Sequence, residues 1–223
     1  MNPRYVELAK LADRNHDPYR NEYQGHFERM IAICKAIGEP IEGNIFFLNN
    51  DPPENGPIRD LLDKRRNLFL MGINKSRVLE VGFNAGFSAL LLLLSNPDLH
   101  YTAIDICEHK YTKPCFDYLR EQFGQRVKLV EGNSLDTLPY VLHRNADFDA
   151  YIIDGGHGLE VAEADLLSTI AHAKRGSVIC VDDTNQPYLR LLVNRFMLDG
   201  SVIHVSDQVG FITGIGQMFL IRL

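Results

Sequence analysis

The chain has 223 residues, 45% hydrophobic and 23% charged, enough for one sizeable α/β domain with a modest extension but not two full domains. Its formal net charge of −6 leaves no basic footprint, so neither nucleic acid nor an anionic membrane is an expected partner. Residues 1–5 lack the apolar core of a signal peptide, and the longest fully apolar run, 89–94, is too short to cross a bilayer, which points to a cytoplasmic protein. The four cysteines (Cys34, Cys107, Cys115, Cys180) show no metal-ligand spacing and read as thiols in a reducing compartment.

The first seventy-odd residues carry helical periodicity. Asp17-Pro18 supplies a cap and a first turn. Tyr19, Tyr23, Phe27, Met30, Cys34 and Ile37 then recur at helical spacing until Gly38 ends the run. A breaker-rich loop over 49–56 follows. Next comes a second amphipathic helix, with Pro57 at its start and Ile58, Leu61, Leu62, Leu68 and Phe69 on one face. In this pattern Lys64-Arg65-Arg66 reads as the solvated face of that helix.

From about residue 77 the pattern changes to strands alternating with helices. Strands are predicted over 78–81, 101–104, 127–130, 150–153 and 177–181, with helices near 88–94, 113–123, 134–142 and 159–173. After a helix around 187–197, strands at 201–205 and 217–223 follow with no helix between them, and so should pair antiparallel at one edge. The expected fold class is therefore α/β. A doubly wound, mostly parallel seven-stranded sheet spans 76–223, closed by an antiparallel hairpin and preceded by a helical cap over 1–75.

The strand ends carry the chemistry. Glu80-Val81-Gly82-Phe83-Asn84-Ala85-Gly86-Phe87-Ser88 joins the first strand to a helix through a glycine turn. Asn84 stands where a dinucleotide fingerprint wants its middle glycine, and Glu80 would repel a pyrophosphate but attract an amino group. Asp105 ends the second strand, where a carboxylate can accept from ribose hydroxyls. Asn133-Ser134 follows the third strand and suits either an adenine edge or a helix N-cap. Asp154 ends the fourth strand, and Asp182-Asp183 ends the fifth. As parallel neighbours these three would converge into an all-oxygen set fit for a hard divalent ion, Mg²⁺ first, or would serve as cap and turn residues. His157, two glycines past Asp154, has the pKa range of a general base near neutral pH.

Together these motifs resemble the class I S-adenosylmethionine-dependent methyltransferases, which have a Rossmann-like fold, over roughly residue 77 to the C-terminus. The resemblance implies that Glu80, Gly82, Asn84, Gly86 and Ser88 hold the methionine part of the cofactor, that Asp105 binds ribose, and that Asn133 and Ser134 contact adenine. More narrowly, the chain is similar to metal-dependent O-methyltransferases of the catechol and macrolide-sugar types. That likeness implies Mg²⁺ on Asp154, Asp182 and Asp183, with His157 as base. Catechol enzymes carry Asp-Asn at the paired position, so Asp182-Asp183 favours the sugar or natural-product branch. The expected activity is methyl transfer to a hydroxyl of a small molecule, with the N-terminal helices as a lid or as the surface of a homo-oligomer. The rivals are a metal-independent methyltransferase, a nicotinamide-dependent oxidoreductase, and a binding module without chemistry.

Overall fold

The computed structural model describes residues 13, 15–18, 20–48, 57–144, 147–156, 158–205 and 211–223. Two helices come first, α1 (Arg20–Ile37) and α2 (Leu62–Ile73), the latter entered through a single 3-10 turn at Arg59–Leu61 and not directly from Pro57. Strand–helix alternation then runs β1 (Arg77–Val81), α3 (Phe87–Ser95), β2 (His100–Asp105), α4 (Thr112–Phe123), β3 (Val127–Glu131), α5 (Ser134–Arg144), β4 (Ala150–Ile153), α6 (Leu159–His172), β5 (Val178–Val181) and α7 (Pro187–Leu198). Two terminal strands, β6 (Val202–His204) and β7 (Met218–Arg222), complete the sheet. Among the described residues, no helix is long and apolar enough to cross a membrane.

The seven strands lie in the order β3-β2-β1-β4-β5-β7-β6. The first five are mutually parallel, and β7 runs antiparallel to both β5 and β6. The predicted hairpin exists, with β7 inserted between β5 and the edge strand β6. The direction of winding reverses between β1 and β4, which opens a crevice at their carboxyl ends.

Period-2 alternation sends strand side chains to opposite faces. Val78, Ile152 and Cys180 pack on one face with α1 to α4, whereas Leu79, Ile153 and Ile179 pack on the other with α5 to α7. The N-terminal helices belong to this core. Tyr23 and Phe27 of α1 meet Phe46, and Phe27, Phe46 and Phe47 surround Phe87 at the start of α3, with ring centroids 4.9–6.5 Å apart. Cys34 and Cys115 approach within 3.7 Å between α1 and α4 as buried thiols.

The basic run on α2 corrects the sequence expectation. Arg65 and Arg66 are buried at 2% and 5% exposure, and Lys64 is mostly buried as well. Arg65 donates to the Asp17 carboxylate and to the carbonyls of Ile45 and Ile58. Arg66 donates to the carbonyls of Asp13 and His16. Periodicity alone assigned these charges to solvent. Instead, each guanidinium donates to backbone carbonyls of the irregular segments wrapped over the helix, which offsets part of the cost of burying its charge. Asp17 accepts from Tyr23 and Arg65 through one carboxylate oxygen.

Candidate active site

The glycine turn is built by close approach. Gly82 has φ +96, and a Cβ there would lie 2.1 Å from the carbonyl oxygen of Asp154 on the neighbouring strand. Gly86 has φ +79 at the N-cap of α3, where a Cβ would meet the Phe83 ring. Between them, Asn84 holds φ 51, one of three non-glycine residues in the left-handed region among the described residues, with Cys107 and Asp183. All three stand at the carboxyl ends of strands, where local strain gathers around function.

Two carboxylates brace this turn in different ways. Asp105 accepts the backbone N–H of Phe83 and Asn84 at 2.7 and 2.8 Å through one oxygen, and that of Cys107 at 2.6 Å through the other. It therefore shapes the loop and keeps lone-pair capacity for a ligand. Glu80 is fully buried under the turn, accepting from the hydroxyls of Ser88, at 2.8 Å, and Tyr101. Burial, opposed by those two hydroxyls, pushes its carboxyl up to about 8. Its other oxygen is buried with no hydrogen-bond partner, an acceptor without a donor beside a binding cleft.

The cleft itself is lined by Gly82 to Ser88, by Asp154 and by Gly43, Asn44 and Ile45. That last segment was not foreseen from sequence. It is tied to the turn by the Asn84 side-chain amide, which donates to the carbonyls of Glu42 and Gly43. Asn44 folds it locally by accepting from the N–H groups of Phe46 and Phe47. The signal was present as an Asn-rich stretch between two helices, but only the fold brings it over the strand ends.

Asn133 and Ser134 do not line the cleft. Asn133 caps α5, its side chain accepting from Leu135 N–H and its carbonyl from Asp136 and Thr137. Ser134 donates to Asp165, a buried acid on α6 raised to about 6 by burial. The capping alternative thus describes the contacts observed for Asn133, whereas Ser134 ties α5 to α6.

At the other side of the crevice, β4 and β5 are in register, with Ile153 opposite Val181, so Asp154 and Asp182 leave the sheet side by side. Burial, then the Asp182 and Glu80 carboxylates, push Asp154 well above the usual carboxylate range. Between the acids lies Lys64 of α2, its Nζ donating to both Asp182 oxygens at 2.8 and 2.9 Å and standing 3.9 Å from Asp183. Burial works against the Lys64 charge, but Asp182 first, and Asp154 and Asp183 after it, hold the amine protonated. The set as arranged does not fit a divalent ion, because both oxygens of Asp182, its central member, already accept from an ammonium. No group of three or more candidate metal ligands occurs among the described residues. His157 lies outside the described residues.

Residues 79–184 match the family model described as a methyltransferase domain. The chain contains a methyltransferase domain. No curated protein matches it. Among solved structures, the chain is similar to an O-methyltransferase from Bacillus cereus solved in complex with SAH, at 15% identity and TM-score 0.64, over 93% of this chain and 96% of that one. It is also similar to the cofactor-bound Rv0187 from MTB, at 20% identity and TM-score 0.62, over 100% and 98%. A third likeness is to CalS11, a TDP-rhamnose 3'-O-methyltransferase of calicheamicin biosynthesis, at 16% identity and TM-score 0.58, over 90% and 94%.

The methyltransferase domain so delimited contains the glycine turn, Asp105 and all three aspartates. The two parts of the site that sequence reading missed, the 43–45 wall and Lys64, lie ahead of it. The segment at 43–45 and Lys64 of α2 therefore contribute directly to the site of the methyltransferase domain.

Proposed function

We propose that the protein is an S-adenosylmethionine-dependent O-methyltransferase acting on a hydroxyl of a small molecule of sugar or natural-product type. The observation that carries this is the buried, unpartnered oxygen of Glu80 beneath the glycine turn, next to a cleft that Ser88 also lines. A cofactor amino group supplies the missing donor and the opposite charge, and the α3 N-terminus receives its carboxylate. Asp105 keeps lone-pair capacity for ribose hydroxyls. The absent side chains at Gly82 and Gly86 leave room for the ligand against the backbone. These residues fit the cofactor. When bound, it supplies an electrophilic sulfonium methyl group. The SAH complex of the Bacillus cereus enzyme supports the choice of cofactor, and the sugar substrate named for CalS11 supports the acceptor class.

The remaining work falls to the chain. The carboxyl ends of β4 and β5 would hold and orient the acceptor hydroxyl. His157 would take the proton of that hydroxyl, and the bound cofactor would supply the methyl group, its C–S bond breaking as the C–O bond forms and SAH leaving. Isothermal titration should give micromolar binding of S-adenosylmethionine and SAH and none of NAD(P)H. Binding of NAD(P)H without affinity for SAH would overturn the proposal. Replacing His157 with alanine should lower kcat by about 100-fold with little change in SAH affinity.

A further inference from the structure

A carboxylate triad at the ends of β4 and β5 needs a cation, and the structure places one there from within the chain. Lys64 reaches across from α2 and spends two of its three N–H donors on the two oxygens of Asp182. Asp183 lies just beyond hydrogen-bond distance at 3.9 Å. The lysine is no freely swinging surface side chain. Lys64 is 15% exposed and Asp182 8%. The next three α2 residues pin the first half of the helix. Arg65 is held by Asp17, Ile45 and Ile58, Arg66 by Asp13 and His16, and Asn67 exchanges hydrogen bonds with the backbone of Ile212.

A divalent ion would need the same carboxylate oxygens, at 2.0–2.1 Å for Mg²⁺, and would meet the ammonium head-on. The two cations exclude one another. We propose that Lys64 is the resident cation of this cluster, standing where a divalent metal would otherwise be held, and that methyl transfer here proceeds without a metal ion. In this arrangement Lys64 keeps Asp182 and Asp183 together and presents its remaining N–H to the acceptor oxygen, stabilising negative charge as that oxygen loses its proton. The charge is fixed by the fold, so no ion has to be recruited. The role of Lys64 in catalysis rests on the methyltransferase reading. Its occupation of the cluster does not.

The test uses the full chain and Mn²⁺ as the probe, with bound ion read by electron paramagnetic resonance. The wild-type protein should bind no Mn²⁺ at micromolar concentrations, and its methyl transfer should be unchanged by EDTA. Lys64→Met, which leaves the acids without their cation, should acquire micromolar Mn²⁺ binding and lose turnover by about 100-fold, while SAH affinity stays within about threefold. Micromolar Mn²⁺ binding by the wild type, or loss of its activity in EDTA restored by Mg²⁺, would overturn the proposal. If Lys64→Met fails to fold, the wild-type Mn²⁺ titration decides alone. Failure of the wild type to bind SAH would sink the methyltransferase reading and leave the Mn²⁺ result to judge Lys64 independently.

Discussion

At the scale of single residues, Glu80 is held in an environment that disfavours its charge. Its folded pKa of about 8 stands above its ordinary value of 4.5, so between those pH values the folded protein holds a proton that the unfolded chain releases. Stability of the unliganded protein is therefore full below about pH 4.5 and declines as pH rises towards 8. Glu80→Gln removes that slope. Urea unfolding should find it more stable than wild type by about 2 kcal/mol at pH 8.5, with a smaller gap at pH 6. The same change removes the charge offered to a cofactor amino group, and titration should show SAH affinity lower by about 10- to 100-fold. Gly82→Ala tests the close approach of β1 to β4. With φ +96 and the Asp154 carbonyl oxygen at 2.1 Å from the new methyl, neither backbone can yield cheaply, and a loss of about 3 kcal/mol or more is expected in urea unfolding. Glycine turn and acid were both legible from residue order. Periodicity cannot tell, however, whether a charged side chain is solvated or capped by carbonyls from a distant loop, and Lys64, Arg65 and Arg66 were misread for that reason.

At the scale of elements, α2 has two jobs. One end sends Lys64 into the carboxylate cluster, and its middle ties down the irregular segments on either side. Arg65 is the centre of the second job, stacked 5.6 Å over Phe46 and bonded to Asp17, Ile45 and Ile58. Arg65→Met leaves the buried Asp17 carboxylate and two carbonyls without their cation, and urea unfolding should report a loss of about 3–5 kcal/mol. Because Ile45 lines the cleft, SAH affinity should fall with it. A purely structural helix remote from the site would lose stability without that second effect. The strand elements were legible because four- to six-residue apolar runs bounded by helices admit few other assignments. The 43–45 wall was not, because a short polar stretch between helices carries no periodic signal.

At the scale of the whole molecule, the N-terminal helices share one hydrophobic layer with α3 and α4. Tyr23, Phe27, Met30 and Cys34 are buried in it, along with Leu68 and Met71. Removing residues 1–75 would strip that face of β1, β4 and β5 and expose α3, whose Leu90, Leu91, Leu92 and Leu93 are all buried. A fragment of residues 76–223 should therefore lose near-UV circular dichroism and bind ANS while keeping much of its far-UV signal. A fragment with native near-UV signal and SAH binding would show instead that the helical segment is dispensable for the fold.

Local information determined the α/β class and the placing of Glu80, Gly82, Gly86, Asp105, Asp154, Asp182 and Asp183 at strand ends. Each of these depends only on periodicity, turn chemistry and the right-handedness of parallel crossovers. What fills the space between the acids was decided by tertiary structure alone. Lys64 and Asp182 are 118 positions apart, and no spacing rule links them. Only the packing of α2 onto the sheet brings an ammonium within 3 Å of that carboxylate, and with it the difference between a cluster awaiting a metal ion and one that already holds its cation.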